Sequence, residues 1–101
     1  MHGRPAVSDG SVTSVDALSR IQAWTVTGAR GRWLTAERVL ELGGRRWVVG
    51  LTPVTDGGPV ALVLWCGEDV VAHRRGNEAE VCGIAARWVW NLQSGRAWDE
   101  G

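Results

Sequence analysis

The fold of this chain is decided by one stretch, Gly58-Pro-Val-Ala-Leu-Val-Leu-Trp-Cys-Gly-Glu-Asp-Val-Val-Ala-His-Arg-Arg75, in which a Gly-Glu pair joins two apolar runs. Gly67 can adopt the positive φ that the first position of a type II′ turn requires, so the stretch predicts a β-hairpin with Gly67 and Glu68 as its loop. In that register Cys66 lies opposite Asp69, and Trp65 lies opposite Val70.

Both faces of the predicted hairpin are apolar. One face carries Val60, Leu62, Leu64, Cys66 and Val71, and the other carries Ala61, Val63, Trp65, Val70 and Ala72. Strands with one face in water alternate apolar and polar residues, so a pair that is apolar on both faces should be covered on both. One helix on each side of the sheet, or a second subunit, would provide that cover, and dimerisation is the economical solution.

Length and composition indicate one globular domain. The chain has 101 residues, of which 45% are hydrophobic, enough to form a core without disulfides or metals. A formal net charge of zero argues against an acidic DNA mimic and against a strongly basic nucleic-acid binder. The basic residues other than histidine are all Arg, and Phe and Tyr are absent, which indicates a GC-rich genome rather than a functional need for Arg.

The two cysteines, Cys66 and Cys82, fit neither a dense disulfide framework nor a zinc-binding spacing, which indicates a reducing compartment. The first residues lack the apolar segment of a secretion signal, and no apolar run approaches the length of a membrane span. We therefore expect a cytoplasmic protein that needs no metal and no cofactor.

Around the hairpin, the sequence predicts a flexible tail over 1–12, a single domain over 13–95 and a second tail over 96–101, of which Trp98 is able to dock back on the domain. The Thr13-Ser-Val-Asp16 spacing predicts a capped, short helix over 14–23, and residues 24–33 predict a strand and turn. Asn77 and Glu80 predict the capped start of a long helix that runs up to Gly95.

Residues 34–42 fit either a helix that ends before Gly43 or a strand. We favour the strand because Gly43-Gly44 is followed at once by the clear strand of 45–52, and a Gly-Gly hairpin would place Leu40 opposite Trp47 and Glu41 opposite Arg46. The predicted fold class is therefore α+β: a four- to five-stranded antiparallel β-meander with a short N-terminal helix and a long C-terminal helix.

The sequence of the last helix predicts two apolar faces. The face expected to pack on the sheet comprises Val81, Ile84, Ala85, Trp88 and Leu92. The other comprises Ala79, Gly83, Ala86 and Trp90, with Cys82 beside them. Small residues let another chain approach closely and Trp is common in interface hot spots, so this second face is a candidate surface for self-association or partner binding. The alternative is that the sheet and the first helix bury both faces within the monomer.

Seven Trp residues together with Arg suggest an alternative, stacking of single-stranded nucleic acid beside a basic surface. The expected strand order gathers Arg30, Arg32, Arg74 and Arg75 at one end of the sheet as an anion-binding or nucleic-acid-binding cluster. Against this function, four of the Trp residues occupy predicted core positions: Trp24, Trp47, Trp65 and Trp88. An anion site at the helix start after Arg75 is disfavoured because Glu78 and Glu80 already lie there.

No catalytic set emerges from the sequence. The best candidate pair is Cys66 with His73, but the expected register places His73 opposite Leu62, about 13 Å along the strands from Cys66 at about 3.3 Å per residue. Cys82 is more typical of a packing thiol. We expect a small non-enzymatic protein-binding module that acts as a homodimer, of a kind that would suit a regulator, an adaptor or a phage-encoded steric inhibitor of a host complex.

Overall fold

Two glycine turns define the sheet in the computed structural model, which describes residues 13–21, 23–28, 34–54 and 58–100. The tail expected over 1–12 and the residues Arg30 and Arg32 lie outside this part of the chain. The described elements are α1 (Val15–Leu18), β1 (Trp24–Thr27), β2 (Thr35–Leu42), β3 (Arg45–Pro53), β4 (Val60–Cys66), β5 (Asp69–Gly76) and α2 (Glu78–Gln93). The strands form one antiparallel sheet in the order β1-β2-β3-β4-β5, which confirms the α+β meander.

The turn between β2 and β3 has φ of +58° at Gly43 and +77° at Gly44, as a type I′ hairpin requires at both central positions. Residues 34–42 are therefore a strand, as predicted, and the pairs Leu40 with Trp47 and Glu41 with Arg46 are confirmed. Gly67, at φ +62°, reverses the chain between β4 and β5 in the predicted register of Cys66 with Asp69 and Trp65 with Val70.

One part of the hairpin prediction is wrong. A β-bulge shifts the register between Leu64 and Trp65, so that Leu64 pairs with Ala72 and Val63 pairs with His73. Ala72 consequently lies on the buried face and Val71 on the exposed one, the reverse of the expectation. An extra residue in one strand inverts the alternation of every residue beyond it, and strands that are apolar on both faces contain no pattern that would reveal the inversion.

The core lies on a single face of the sheet. Its fully buried strand residues include Val49 and Leu51 of β3 and Leu62 and Leu64 of β4. The same cluster contains residues of both helices, namely Val15 and Leu18 of α1 and Val81, Ala85, Trp88, Val89 and Leu92 of α2. Since α1 packs on β1 and β2 and α2 packs on β3, β4 and β5, both helices cover the same side of the sheet.

The first helix is shorter than predicted. Instead of 14–23 it covers Val15–Leu18, and its N-cap is Ser14, whose Oγ accepts a hydrogen bond from the Ala17 N–H at 3.1 Å. Short helices are marginal without tertiary contacts, and hydrogen-bonded turns follow Leu18 at once to carry the chain into β1, where Trp24 is buried.

The second helix starts and stops as predicted. Asn77 Oδ1 accepts a hydrogen bond from the Glu80 N–H at 2.8 Å, and Gly95 follows the last turn with φ +76°. Beyond it, the rings of Trp98 and Trp88 meet edge to face with centroids 5.2 Å apart. Trp98 thus docks on the domain. No helix in the described part of the chain is long and apolar enough to cross a membrane.

Candidate protein-binding surfaces

The side of the sheet opposite the helices, called here the open face, carries a continuous apolar row. The row crosses four neighbouring strands through the pairs Val39 with Val48, Val48 with Trp65, and Trp65 with Val70. Three of its side chains are exposed, Val39 to 42%, Trp65 to 38% and Val70 to 54%. Val71, placed on this face by the bulge, is also exposed. Four bulky apolar side chains close together on one surface are unusual for a face that meets only water.

A second row lies next to the first, formed by Glu37, Gly50, Val63 and His73. Gly50 occupies the middle of β3, and a Cβ atom added there would approach only the carbonyl oxygen of Val63, at 4.0 Å. The backbone of Gly50 is not in the positive-φ region, so the strand itself does not require glycine here. A glycine inside a strand leaves a depression that another chain can approach closely.

Charges on the open face are divided between its two sides. The β2 side carries Glu37 and Glu41, and the β5 side carries His73 and Arg75, all of them exposed. Arg46 of β3 lies 4.0 Å from Glu41 in an exposed ion pair. Within the described ranges, no ion pair joins Glu37, His73 or Arg75 to a partner.

The open face corrects one prediction about the tryptophans. The sequence predicts a core position for Trp65, as it does for Trp24, Trp47 and Trp88. Trp24 and Trp88 are buried and Trp47 is partly buried against the core, but Trp65 lies on the open face. The error arises because both helices take the other side of the sheet, which the apolar pattern of β4 does not specify.

The candidate surface on α2 is only partly exposed. Ala79, Gly83 and Trp90 lie in solvent, and Trp90, at 64%, is the most exposed large apolar residue among those that the structure describes. Ala86 and Cys82, by contrast, are buried. The exposed stripe includes Arg87, which sequence reasoning missed although it follows Gly83 by four residues and precedes Trp90 by three. We call Ala79, Gly83, Arg87 and Trp90 the α2 outer surface.

The predicted basic cluster does not form one surface among the described residues. Arg74 lies on the helix side of β5, where its guanidinium is 5.8 Å from the ring centroid of Trp88. Arg75, the next residue, pairs with Ala61 on the open face. Alternate residues of a strand point to opposite faces, so these two guanidiniums cannot hold one ligand together.

The start of α2 is occupied by its own side chains. Asn77 caps the Glu80 N–H, the Glu80 carboxylate lies against Gly76, and Glu78 binds the backbone of α1. An external anion would have to displace two carboxylates from this position.

The cysteines and His73 do not form a nucleophile and base pair. Cys66 is two residues after Leu64 and therefore lies on the same, helix-covered side of β4, whereas His73 lies on the open face. Burial, and to a smaller extent the Glu78 carboxylate, raise the pKa of the Cys82 thiol from 9.0 to about 11, so this thiol is protonated at neutral pH. The described residues contain no group of three His, Cys, Asp or Glu side chains able to hold a metal ion.

Two candidate binding surfaces therefore lie on opposite sides of the molecule, the open face on the sheet and the α2 outer surface on the helix layer. No protein-family model, curated protein or solved structure matches the chain.

Proposed function

We propose that this domain is a non-enzymatic protein-binding module. The observation that carries the proposal is the apolar row of Val39, Val48, Trp65 and Val70, which neither helix covers. Burial of apolar surface stabilises a complex by roughly 25 cal/mol per Å2, so a partner that covers this row gains free energy that the monomer leaves unused. Exposed Trp is also the residue type most enriched in interface hot spots.

The α2 outer surface is the second binding surface in this proposal. Trp90 is its anchor, and Gly83, about two helical turns earlier on the same surface, leaves room for close approach, because a Cβ atom added there meets nothing within 4 Å. Because this surface and the open face lie on opposite sides, one domain can contact two proteins at once. Such an arrangement suits a regulator, an adaptor or a steric inhibitor in a reducing compartment such as the cytoplasm, where the thiols of Cys66 and Cys82 stay free.

Photo-crosslinking in cells of the natural host tests the proposal. A photoreactive amino acid placed at Trp65 or at Trp90 should give adducts with protein, whether a second copy of the chain or another protein. The same amino acid at Arg20, an exposed residue in the turn after α1 and therefore on the helix side of the sheet, is the matched control and should give none. If neither Trp65 nor Trp90 yields more protein adducts than Arg20, the module does not act by binding protein.

A further inference from the structure

We propose that the open face binds a second copy of this chain, with a two-fold axis that runs parallel to the strands between β3 and β4. This inference rests on the proposed function and names the partner of one of its two surfaces. In the resulting dimer the two sheets stack face to face, about 10 Å apart, as in β-sandwiches. Strand β2 of each copy lies over β5 of the other, and β3 lies over β4.

Charge complementarity selects this partner and this axis. Rotation about the stated axis brings the acidic β2 side of one copy over the basic β5 side of the other, so that Glu37 lies level with His73 of the other copy and within reach of its Arg75. A two-fold axis perpendicular to the strands would instead stack each strand on its own copy and place Glu37 and Glu41 against each other. Like charges in contact disfavour that arrangement.

The apolar rows also match under the same rotation. Because the row of Val39, Val48, Trp65 and Val70 crosses the strands at one level, Trp65 of each copy lies over Val48 of the other, and Val39 lies over Val70. In the adjacent row Val63 of one copy faces Gly50 of the other, where the missing side chain leaves space for it. A glycine that the strand does not need for its own conformation is thus used at the interface.

The size of the face predicts a dimer that dissociates on dilution. Four strands at about 4.8 Å spacing and seven residues at about 3.3 Å each give a footprint of roughly 19 by 23 Å, or about 900 Å2 for two copies in flat projection. This value is about a quarter below the lower limit of the range of roughly 1,200 to 2,000 Å2 for stable, specific interfaces, and the pleat and the Trp65 side chain add to it.

Absolute mass from light scattering over a range of concentrations is the first test, with two matched variants. Gly50→Arg places a charge in the middle of the open face, beside Glu37 of its own sheet, and the monomer has room for it. Gly83→Arg makes the same change on the α2 outer surface, where nothing lies within 4 Å of the new Cβ atom. We expect the wild type and Gly83→Arg to reach about twice 10.9 kDa, and Gly50→Arg to remain a monomer.

Charge reversal tests the orientation. Glu37→Arg alone and Arg75→Glu alone should each weaken the dimer by about tenfold at low salt, because each places like charges opposite one another. The double variant should recover wild-type affinity in this arrangement, since three strand spacings, about 14 Å, separate the two positions within one copy. A double variant weaker than either single variant would overturn the orientation.

Two results of the light-scattering test overturn the inference. In the first, the wild type stays monomeric. In the second, Gly83→Arg abolishes the dimer while Gly50→Arg does not. In those cases adducts of Trp65 or Trp90 with another protein would still support the proposed function. If those adducts are absent as well, the proposed function fails together with the inference.

Discussion

Glu78, in the first turn of α2, accepts a hydrogen bond from the backbone N–H of Val15, with 2.6 Å between Oε2 and N. Val15 is the first residue of α1, so a carboxylate of one helix satisfies an N-terminal amide of the other. The two residues are 63 positions apart in the chain. This bond helps to explain how a helix of four residues persists, because a helix of that length has little stability of its own.

Glu78→Ala should lower the free energy of unfolding by about 1 to 2 kcal/mol, since it leaves the Val15 N–H without its acceptor. Glu78→Gln keeps an acceptor oxygen, so its free energy of unfolding should decrease less. Urea denaturation measures both changes, and hydrogen exchange at the Val15 amide should accelerate in the alanine variant. Equal stability of Glu78→Ala and wild type would show that the bond contributes nothing to the fold.

Cys82 should make stability decrease at alkaline pH. The pKa of its thiol is raised from 9.0 to about 11, so between these values the folded protein retains a proton that the unfolded chain releases. The unfolded state then binds fewer protons than the folded state, and the free energy of unfolding falls as pH rises from 9 to 11. The chain contains no Lys and no Tyr, so few other side chains titrate in this interval.

Urea denaturation at several pH values between 9 and 11 measures this decrease in the free energy of unfolding. Cys82→Ala should flatten the decrease in the free energy of unfolding between pH 9 and pH 11. If the free energy of unfolding of Cys82→Ala falls with pH as steeply as that of the wild type, another group causes the decrease.

Asn91→Asp should destabilise the fold by about 2 kcal/mol or more. Asn91 is buried, with 3% exposure, and its Nδ2 donates to the carbonyl oxygens of Trp98 at 2.9 Å and Glu100 at 2.8 Å. A carboxylate cannot donate and would face two carbonyl oxygens instead. The matched control is Gln93→Glu, the same amide-to-acid change at an exposed position of α2, which should stay within about 0.5 kcal/mol of wild type.

The same variant should detach the C-terminal segment. Without the two hydrogen bonds of Asn91, the Trp98 ring loses its edge-to-face contact with Trp88. Trp fluorescence quenching should therefore reveal one additional accessible ring in Asn91→Asp, and none in Gln93→Glu. Quenching that does not change would mean that Trp98 is held by its ring contact alone.

Trp90→Ala should separate binding from stability. Because Trp90 is largely exposed, its removal should change the free energy of unfolding by less than about 0.5 kcal/mol while it weakens any partner bound to the α2 outer surface. Trp88→Ala, two residues away but buried in the core, should cost about 3 to 5 kcal/mol. Adducts formed from crosslinker at Gly83 that persist unchanged in Trp90→Ala would remove Trp90 from the binding surface.

Single-stranded nucleic acid should bind weakly or not at all. Arg74 and Arg75 lie on opposite faces of β5, so the described residues do not form one continuous basic surface along which a nucleic acid could bind. Fluorescence anisotropy of a labelled oligonucleotide at low salt measures this. Tight binding with a steep salt dependence, lost in Arg75→Ala, would favour the nucleic-acid alternative over protein binding.

The turns and the helix start depend on residues that are neighbours in the chain, and they could be predicted from the sequence. Turn glycines Gly43, Gly44 and Gly67 specified the hairpins, and the cap at Asn77 located the start of α2. These features were predictable because a positive φ or an N-cap restricts the local backbone in any context. On the candidate site, the exposed Trp90 and Gly83 were identified from helical spacing, whereas the burial of Ala86 was not.

The side of the sheet that the helices cover is set by tertiary contacts and could not be predicted from the sequence. In β4, Val60, Leu62 and Leu64 are buried while Trp65 is exposed, although both sets are apolar. Alternation identifies the buried face of a strand only when the other face is polar, so this strand carried no such signal. The choice depends on contacts distant in sequence, such as Glu78 with Val15, and on the bulge in β5 that moves Val71 to the open face.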